Sequence, residues 1–355
     1  MKRILIISGG TGGHIFPALE VARALQYQGI EIYWLGTTNG LEKKLVAHEF
    51  PLNLIKIKSC RKEGLMKKIL MLFPLIKVIF QSYLMIRKMK PKMVLGMGGC
   101  VSGPVGFAAW LHRIPIVIHE QNVVAGLTNR LLAKIAKSIL QAFPGTFSCR
   151  KNVSTTGNPI RAELIHTPLP RERLMDRTGP LRVLILGGSQ GAHSINQKIM
   201  IALRNYPHPE KLAIWHQTGL SDFKWVKGFY EIFSFEVRVD VFIDEITKAY
   251  TWADLIICRA GALTVSEITA VGIASIVIPY PYSTDNHQFY NGRFLEKKGA
   301  AIVIPEKLLT VKCLVNYLKQ FIKDRSRLLI MAERARSLAK SGAVQRVVDE
   351  CKRML

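Results

Sequence analysis

Paired cysteines and long apolar runs are both missing from this 355-residue sequence. The six cysteines form no CxxC pair and have no histidine cluster nearby. Their spacing argues against a disulfide framework and a structural zinc site, and it suits a protein of the reducing cytoplasm. The first apolar run, residues 4–7, is too short for the core of a signal peptide and predicts a buried strand. A composition of 49% hydrophobic and 21% charged residues indicates a folded globular protein, and the length allows two domains.

Acidic residues are scarce, and the net charge is +25. The excess is concentrated in residues 1–162, which contain 23 lysine and arginine residues against six acidic ones. Between residues 64 and 162 the only acid is Glu120. A surface this basic favours an anionic partner, either nucleic acid or the anionic leaflet of a membrane. The stacking aromatics of an RNA-binding module are absent, so no nucleic-acid partner is expected.

The standard nucleotide-binding motifs are missing as well. Counted from Gly10, the third glycine of the dinucleotide fingerprint falls on Ile15, and the second predicted strand ends without an acid. The sequence has no GxxxxGK[ST] phosphate loop and no DxD motif at the end of a strand. These absences argue against a dehydrogenase, a P-loop enzyme and a metal-bridged diphosphate. We therefore expect neither a cofactor nor a metal ion.

Apolar strands alternate with helical patterns along the whole chain. Strands are predicted at residues 3–8, 31–36, 93–97, 115–119, 182–187, 212–216, 255–258 and 274–279. This alternation is typical of an α/β protein with parallel sheets flanked by helices. The segment 158–180 contains four prolines and no strand pattern, and it is predicted to link two domains.

One strand–loop motif occurs twice. "RILIISGGTGGH" (residues 3–14) is repeated as "RVLILGGSQGAH" (residues 182–193). The repeat predicts two Rossmann-like, doubly wound domains, each with a glycine loop at its first strand-to-helix turn. Such sheets bind ligands outside the carboxyl ends of their strands, so both loops are expected to open onto one cleft. Bare amides at a helix N-terminus suit a phosphate or a sugar.

Three further stretches carry local predictions. In "CRAGALTVSE" (residues 258–267), Thr264 and Glu267 have the spacing of a capping box, and the helix start would present amides to an anion. In "DNHQFYN" (residues 285–291), the spacing of three places Asp285, Gln288 and Asn291 on one helix face. Near the C-terminus, Ser341 is predicted to cap a final amphipathic helix.

Seven motifs occur in the order of one family: "GGTGGHIFPALEVA", "GMGGCVSGPVGFAAW", "HEQNVVAGLTN", "GNPIR", "GGSQGAHSIN", "FIDEI" and "CRAGALTVSE". The chain resembles, nearly end to end, the MurG family of peripheral membrane glycosyltransferases. Members transfer N-acetylglucosamine from UDP-N-acetylglucosamine (UDP-GlcNAc) to the muramoyl 4-hydroxyl of lipid I, forming lipid II for peptidoglycan synthesis. The resemblance implies a GT-B fold of two Rossmann-like domains facing across a cleft, and an inverting reaction.

The resemblance also implies a domain plan. Residues 1–160 would bind the acceptor and the membrane, residues 161–340 would bind the donor, and a last helix at about 341–355 would return to the N-terminal domain. The protein would lie peripherally at the cytoplasmic face of the bacterial inner membrane. Its implied partners are UDP-GlcNAc, lipid I, the anionic membrane surface and other cell-wall synthesis proteins.

Individual residues receive roles from the same resemblance. On the acceptor side, Thr11, Gly12 and Gly13 would border the donor sugar and the acceptor diphosphate, with Asn122 beside them. The donor side is a longer set: Ser189 and Arg161 near the phosphates, main-chain groups of Ile243 at the uracil edge, Ala262, Leu263, Thr264, Val265 and Ser266 around the phosphates and sugar, Glu267 at the ribose and Gln288 at the sugar hydroxyls.

His14 is the candidate general base. The acceptor hydroxyl must lose a proton as it attacks the anomeric carbon, and an imidazole with an ordinary pKa near ~6.5 is suited to accept it. The alternative is that His14 only caps the helix or orients a phosphate. Glu120 is a rival base, although it also fits a buried structural carboxylate. His193, at the same place in the second loop, is predicted to be structural.

Residues 65–92 combine bulky apolar side chains with seven lysine and arginine residues. Pro74, Lys77 and Gln81 interrupt the stretch, which falls short of the ~20 continuous apolar residues of a membrane span. It fits an interfacial patch that meets anionic lipid, with part of its apolar residues in the core. Phe107 and Trp110 are further candidate lipid contacts.

Two other functions remain open at this point. One is a different UDP-sugar-dependent enzyme of the same fold, either a glycosyltransferase or an epimerase. The other is a non-catalytic basic module that binds a membrane or nucleic acid. The basic apolar patch and the "HEQN" motif argue against the first of these.

Overall fold

The computed structural model describes residues 2–57, 72–147, 151–187 and 191–355. The chain divides into two compact units. The first consists of Met1–Ile160 and Gly342–Leu355, and the second of Arg161–Ser341. Each unit is an α/β domain with a sheet of its own.

The first unit contains a seven-stranded parallel sheet in the order β3-β2-β1-β4-β5-β6-β7. Its strands are β1 (Arg3–Ile7), β2 (Glu31–Thr37), β3 (Leu52–Ile55), β4 (Met93–Gly96), β5 (Ile116–Glu120), β6 (Ser138–Gln141) and β7 (Val153–Thr155). Its helices are α1 (Gly12–Tyr27), α2 (Glu42–Leu45), α3 (Leu72–Met89), α4 (Ser102–Leu111), α5 (Leu127–Leu132) and, from the C-terminus, α15 (Ala343–Arg353).

The second unit contains a six-stranded parallel sheet in the order β10-β9-β8-β11-β12-β13. Its strands are β8 (Leu181–Leu186), β9 (Leu212–Gln217), β10 (Val237–Asp240), β11 (Leu255–Cys258), β12 (Ala274–Val277) and β13 (Ile302–Val303). Its α-helices are α6 (Ala162–Ile165), α7 (Pro170–Leu174), α8 (His193–Arg204), α9 (Phe223–Tyr230), α10 (Ile246–Trp252), α11 (Ala262–Val271), α12 (His287–Glu296), α13 (Val311–Lys323) and α14 (Ser326–Ser337).

All eight predicted strands are confirmed within two residues at each end. Five strands of two to four residues were not predicted from the sequence: β3, β6, β7, β10 and β13. They are short or carry polar residues, as in "VST" and "VRVD", so no apolar run marks them. They lie toward the sheet edges, where pairing with a neighbour strand decides the conformation more than the local pattern does.

The central strand of the first sheet is buried on both faces. Ile4 and Ile6 of β1 pack in one core cluster with α1 and α15, while Leu5 and Ile7 pack in a second cluster on the opposite face with α3 and α4. Alternate residues of a strand point to opposite faces, so this uninterrupted apolar run fills two cores. The sequence pattern "ILII" therefore specifies a strand covered on both sides.

The last helix belongs to the first unit, where Val347, Val348 and Cys351 are fully buried in the α1 core cluster. The prediction that Ser341 caps this helix is wrong, because the N-cap is Gly342. Gly342 has φ 72°, in the left-handed region that glycine adopts without steric cost. A glycine at the turn therefore displaces the serine as the cap.

The prediction of a linker at 158–180 is wrong for most of that segment. Its residues from Arg161 onward belong to the second unit and form the short helices α6 and α7. Arg173 is 6% exposed and donates hydrogen bonds to the carbonyls of Pro168, Val271 and Gly272. Pro168 lies between α6 and α7, and Pro170 is the first residue of α7. These prolines therefore mark the boundary of a short helix and not an unstructured linker.

Within the described residues, no helix is long and apolar enough to cross a lipid bilayer.

Candidate functional site

The strand order places a topological switch point in each sheet. In the first unit the chain runs outward from β1 to β3 and then returns to the other side of β1 at β4; in the second, β8 and β11 have the same relationship. Within each unit, the loops after the two strands at the switch point lead in opposite directions. They leave a crevice between them, which is where doubly wound sheets bind ligands. Both repeated glycine loops follow a strand at a switch point, after β1 and after β8.

The first glycine loop combines a left-handed turn with a helix start. Gly10 has φ 97°, and α1 begins at Gly12 with Thr11 as its N-cap residue. A side chain on Gly12 would contact the Phe16 ring at 2.9 Å, whereas Gly13 is exposed and nothing lies nearer to its position than 3.8 Å. The predicted residues Thr11, Gly12 and Gly13 thus form an open helix N-terminus, the geometry that favours an anion.

Glu42, which was not predicted as a site residue, accepts a hydrogen bond from this loop. Glu42 is fully buried, and its Oε1 accepts hydrogen bonds from Gly10 N at 3.0 Å, Thr37 N at 2.8 Å and Thr37 Oγ1 at 2.8 Å. In dinucleotide-binding folds an acid near the end of the second strand binds a ribose. Here the acid comes five residues after Thr37 and accepts hydrogen bonds from two backbone amides and the Thr37 hydroxyl instead. Its place shortly after the second strand is the signal that could have identified it.

His14, in the first turn of α1, meets a side chain from the end of β5. Its Nδ1 lies 3.2 Å from Oε1 of Gln121, and Gln121 is 1% exposed. The loop after β4 makes room for the pair, because a side chain on Gly98 would lie 2.5 Å from His14 Nδ1. The imidazole is therefore fixed at the switch point of the first sheet.

Glu120, the rival base, is held in place by its own loop. It is 2% exposed and accepts hydrogen bonds from Asn122 N, Asn122 Nδ2, Gly126 N and Asn129 Nδ2, at 2.8 to 3.1 Å. Both carboxylate oxygens are engaged, so the side chain fits a structural role that shapes the β5–α5 loop and positions Asn122. The adjacent His119 is fully buried, and burial lowers its pKa to about 4.

The second glycine loop is described on either side of residues 188–190, and the prediction for Ser189 lies outside the described residues. After Gly191, α8 begins at His193, whose Nδ1 lies 3.1 Å from the Asp222 carboxylate and whose ring stacks on Trp225. Asp222 also accepts from Asn196 Nδ2 at 2.8 Å. His193 is thereby part of a hydrogen-bonded cluster within the second unit.

The loop after β11 leads into α11. Gly261 is the N-cap, and Val265 is the first residue whose amide donates within the helix, to Gly261 O at 2.9 Å. The predicted capping box of Thr264 and Glu267 is wrong, since the helix starts two residues before Thr264. Residues 262–264 form the first turn, so the predicted anion-binding amides are at the helix N-terminus.

Glu267 faces a buried phenol instead of the helix cap. Tyr250 Oη donates to Glu267 Oε2 at 3.0 Å. Burial raises the pKa of Glu267 to about 7, and the Tyr250 hydrogen bond and the Arg161 charge both act to lower it. Among the described residues, the hydrogen bond from Tyr250 is the one that Glu267 accepts, and it goes to Oε2.

Arg259, which was not predicted as a site residue, contacts three other segments near the switch point of the second sheet. It forms an ion pair with Glu306 at 2.5 Å, donates to Ser194 Oγ at 3.1 Å, and lies over the Tyr280 ring at 5.4 Å from its centroid. These contacts join the loop after β11 to the start of α8 and to the chain after β12. Its position directly after a buried strand, in "CRAG", was the available signal.

Two predicted donor residues from distant parts of the sequence meet in the second unit. Arg161 Nη1 donates to the carbonyl of Asp244 at 3.2 Å, next to Ile243. The Ile243 amide donates to Gln217 Oε1 at 3.0 Å, so this main-chain group is engaged within the second unit.

The predicted polar face at residues 285–291 is only partly formed. Gln288 and Asn291 lie in α12, but Asp285 precedes the helix with φ 51°. Gln288 Oε1 accepts from Tyr280 N at 2.9 Å, and the buried Asn291 donates to Ala260 O at 3.1 Å. The left-handed conformation of Asp285 and Asn286 turns the chain before the helix begins, so the spacing of three does not extend back to Asp285.

Helix α3 divides its side chains between the core and the exterior. Val78, Ser82, Ile86 and Met89 are buried, at helical spacing. Other large apolar side chains are exposed on α3 and on its neighbours α4 and α5: Leu75, Ile76, Phe80, Leu84, Phe107, Trp110, Leu111, Leu127 and Leu131. We call this set the apolar surface of the first unit. Residues 65–71 of the predicted patch lie outside the described residues.

Within the part of the chain that the structure describes, no group of three or more His, Cys, Asp and Glu side chains is arranged to hold a metal ion.

Comparison with known proteins gives consistent matches over the whole chain. Residues 4–141 match the glycosyltransferase family 28 N-terminal domain, and residues 182–347 match the glycosyltransferase family 28 C-terminal domain. The UDP-N-acetylglucosamine–N-acetylmuramyl-(pentapeptide) pyrophosphoryl-undecaprenol N-acetylglucosamine transferase of Coxiella burnetii is 58% identical over 353 residues, 99% of each chain. The protein of the same name from Marinobacter nauticus is 45% identical, covering 99% of this chain and 97% of its own. The crystal structure of Acinetobacter baumannii MurG superposes with a TM-score of 0.85 at 36% identity, over 99% of this chain and 100% of that one.

Proposed function

Because the chain belongs to the MurG enzymes of glycosyltransferase family 28 and has their two-domain GT-B fold, we propose that it transfers N-acetylglucosamine from UDP-GlcNAc to lipid I. The product is lipid II, the disaccharide-bearing precursor of peptidoglycan. The observation that carries this conclusion is the 58% identity, over 99% of both chains, to a transferase named for this reaction. The glycine loops at both switch points support it, since each provides a helix N-terminus suited to a diphosphate.

The donor is proposed to bind the second unit. The first turn of α11, residues 262–264, would bind the UDP phosphates through its amides, with Val265 and Ser266 behind it and Ser189 as a further phosphate contact. Glu267 would accept hydrogen bonds from the ribose hydroxyls, and Gln288 would donate to the sugar through its Nε2, since its Oε1 already accepts from Tyr280. The Ile243 carbonyl would contact the uracil edge, beside Arg161.

The acceptor is proposed to bind the first unit, its diphosphate at the open N-terminus of α1 and its sugar near Asn122. His14 would take the proton from the muramoyl 4-hydroxyl as that oxygen attacks the anomeric carbon. The bond from the anomeric carbon to the UDP oxygen breaks, so the configuration inverts and UDP leaves with the bonding electrons. The helix dipole at α11 and the Arg161 guanidinium would stabilise the charge that develops on UDP.

The apolar surface of the first unit is proposed to contact the membrane that holds lipid I. Ile76, Phe80 and Leu84, spaced by four on α3, are 60%, 60% and 48% exposed. Lys77, Arg87 and Lys88 lie on the same helix and can meet anionic headgroups while the apolar side chains enter the interface. This arrangement supports a peripheral location at the cytoplasmic face of the inner membrane, where other cell-wall synthesis proteins could also bind.

A transfer assay tests the proposed reaction directly. The 355-residue protein is incubated with radiolabelled UDP-GlcNAc and a lipid I analogue, and lipid-linked label and UDP release are followed in parallel. We expect equimolar transfer and UDP release, and a β-linked product by NMR. Consumption of UDP-GlcNAc without the lipid acceptor would indicate an epimerase, and absence of turnover would contradict an enzymatic function.

A further inference from the structure

The Gln121 side chain contacts both His14 and the backbone of Met97. Gln121 Oε1 lies 3.2 Å from His14 Nδ1, and Gln121 Nε2 donates to the carbonyl of Met97 at 2.8 Å. The two residues are 107 positions apart and belong to different elements of the first unit. Among the described residues, His14 Nε2 has no hydrogen-bond partner.

The orientation of the Gln121 amide follows from the Met97 carbonyl. A carbonyl can only accept, so the Gln121 atom that faces it must be the NH₂ group. The reverse orientation would place Gln121 Oε1 2.8 Å from another acceptor in a site that is 1% exposed, where such a contact has no water to relieve it. The amide oxygen therefore faces His14.

An amide oxygen is also only an acceptor, so the nitrogen of His14 that faces it must carry a hydrogen. In a neutral imidazole one nitrogen is protonated and the other has a lone pair. With the hydrogen on Nδ1, the lone pair of His14 is on Nε2. The site has room for this pair only because residue 98 is glycine, since a side chain there would lie 2.5 Å from His14 Nδ1 and 3.3 Å from Gln121 Oε1.

We propose that Gln121 is a positioning residue that fixes His14 in its Nδ1–H tautomer, which makes Nε2 the atom that accepts the acceptor hydroxyl's proton. The catalytic consequence rests on the proposed function, in which His14 is the general base. The tautomer itself rests only on the hydrogen bonds of Gln121. A neutral amide fills the place that a carboxylate takes in Asp–His pairs, so it orients the imidazole without adding a negative charge beside it.

The tautomer is measured on ¹⁵N-histidine-labelled full-length protein by long-range ¹H–¹⁵N NMR, with His14→Gln identifying the His14 signals. For the neutral ring in the wild-type protein, we expect a protonated Nδ1 and an unprotonated Nε2. In Gln121→Met, which keeps the length of the side chain and removes both polar atoms, the neutral ring should shift toward the Nε2–H form. In the same variant kcat should fall by ~10-fold or more, with the KM for UDP-GlcNAc within about two-fold of the wild type.

Gln141→Met is the matched control. Gln141 is 5% exposed on the neighbouring strand β6, donates to Thr155 Oγ1 and accepts from Phe147 N, and does not contact His14. It should lower the melting temperature to a similar extent while leaving the His14 tautomer and kcat unchanged.

Three results would overturn the proposal: an Nε2–H tautomer in the wild type, a His14 tautomer that is the same in Gln121→Met, or a shifted tautomer with unchanged kcat. If the wild-type protein shows no transfer to lipid I, the proposed function fails, while the NMR result still decides whether Gln121 fixes the tautomer.

Discussion

Tyr250 donates a hydrogen bond from Oη to Glu267 Oε2 at 3.0 Å, and the phenol is fully buried. Burial raises the pKa of Tyr250 well above its usual value, so the phenol stays protonated and remains a donor. The pKa of Glu267 is raised to about 7, again by burial. In the proposed donor site the pair would link donor binding to pH, because only the ionised carboxylate is a strong acceptor for ribose hydroxyls.

We therefore expect the affinity for UDP-GlcNAc to increase as the pH rises from 6 to 8, as Glu267 loses its proton. Tyr250→Phe removes a hydrogen bond that favours the ionised form, so the pKa of Glu267 should rise and the midpoint should move to higher pH. A hydrogen bond to a charged group contributes about 1.5 kcal/mol or more, so its loss should raise the pKa of Glu267 by about one unit. Because about half of the wild-type carboxyl groups are ionised at pH 7, KM at that pH should increase by about 5-fold or more. Steady-state KM for UDP-GlcNAc, measured across this pH range, checks the shift.

Tyr230→Phe is the control for that measurement. Tyr230 is also a buried tyrosine of the second unit, and its hydroxyl lies 3.1 Å from His216 Nδ1 instead of Glu267. Its pH profile should match the wild type. A Tyr250→Phe profile that also matches would show that the hydrogen bond does not influence the donor site.

Replacing His14 tests the base. His14→Ala should lower kcat by ~100-fold or more while the dissociation constant for UDP-GlcNAc, measured by calorimetry, stays nearly unchanged. Glu120→Gln tests whether Glu120 is the base instead. The amide keeps one acceptor oxygen but replaces the other with an NH₂ group, which disturbs the four donors around the carboxylate. It should lower the melting temperature more than the turnover. A His14→Ala enzyme within a few-fold of wild-type turnover would eliminate His14 as the base.

Glu42 should control the conformation of the first glycine loop. Glu42→Ala leaves the amides of Gly10 and Thr37 without their shared acceptor, and each buried unsatisfied group costs about 1 to 3 kcal/mol. The KM for lipid I should rise more than the KM for UDP-GlcNAc, because the loop belongs to the unit that is proposed to bind the acceptor. Glu49→Ala, which removes a carboxylate paired with Arg23 elsewhere in that unit, is the comparison. Equal effects on both substrates would argue against a local role for Glu42.

Two buried histidines should make both units sensitive to acid. Burial lowers the pKa of His119 to about 4 and that of His216 to about 3, compared with about 6.5 in an unfolded chain. The unfolded chain thus binds protons that the folded protein excludes. The stabilisation is complete above pH 6.5 and is lost as the pH falls, by up to ~1.4 kcal/mol per pH unit for each histidine.

Urea unfolding at pH 7, 6 and 5 measures that loss. His216→Asn should reduce the pH dependence for the second unit and leave that of the first unit unchanged. A free energy of unfolding that is constant between pH 7 and 5 would contradict the burial of neutral imidazoles.

The apolar surface of the first unit should be required for membrane binding. Replacing Ile76, Phe80 and Leu84 with serine should strongly reduce cosedimentation with phosphatidylglycerol vesicles, since each side chain loses apolar contact with the interface. Turnover with a water-soluble lipid I analogue should persist. A triple serine variant at Met175, Leu308 and Ile330, which are exposed apolar residues of the second unit, is the control. Equal vesicle binding by both variants would exclude α3 as the contact.

Much of the fold could be predicted because the signals are local. The run "ILII" and the glycine pair after it specify a buried strand and a tight turn regardless of the rest of the chain, and the same holds for the repeat at residues 182–193. Local signals gave the wrong helix start where a nearby glycine could also cap the helix. The N-cap is Gly342 instead of Ser341 in one helix, and Gly261 lies at the start of the other instead of Thr264. In each case a glycine at the turn placed the helix start elsewhere.

The sequence by itself determined the alternation of strands and helices, the two glycine loops, the basic first half and the family. These depend on composition and spacing within a few residues, which the chain carries in any conformation. Only the tertiary structure decided that Glu42 binds Gly10, that Gln121 faces His14 and that Tyr250 donates to Glu267. Such hydrogen bonds join residues 32, 107 and 17 positions apart, and they exist only once the fold packs separate helices and loops against one another.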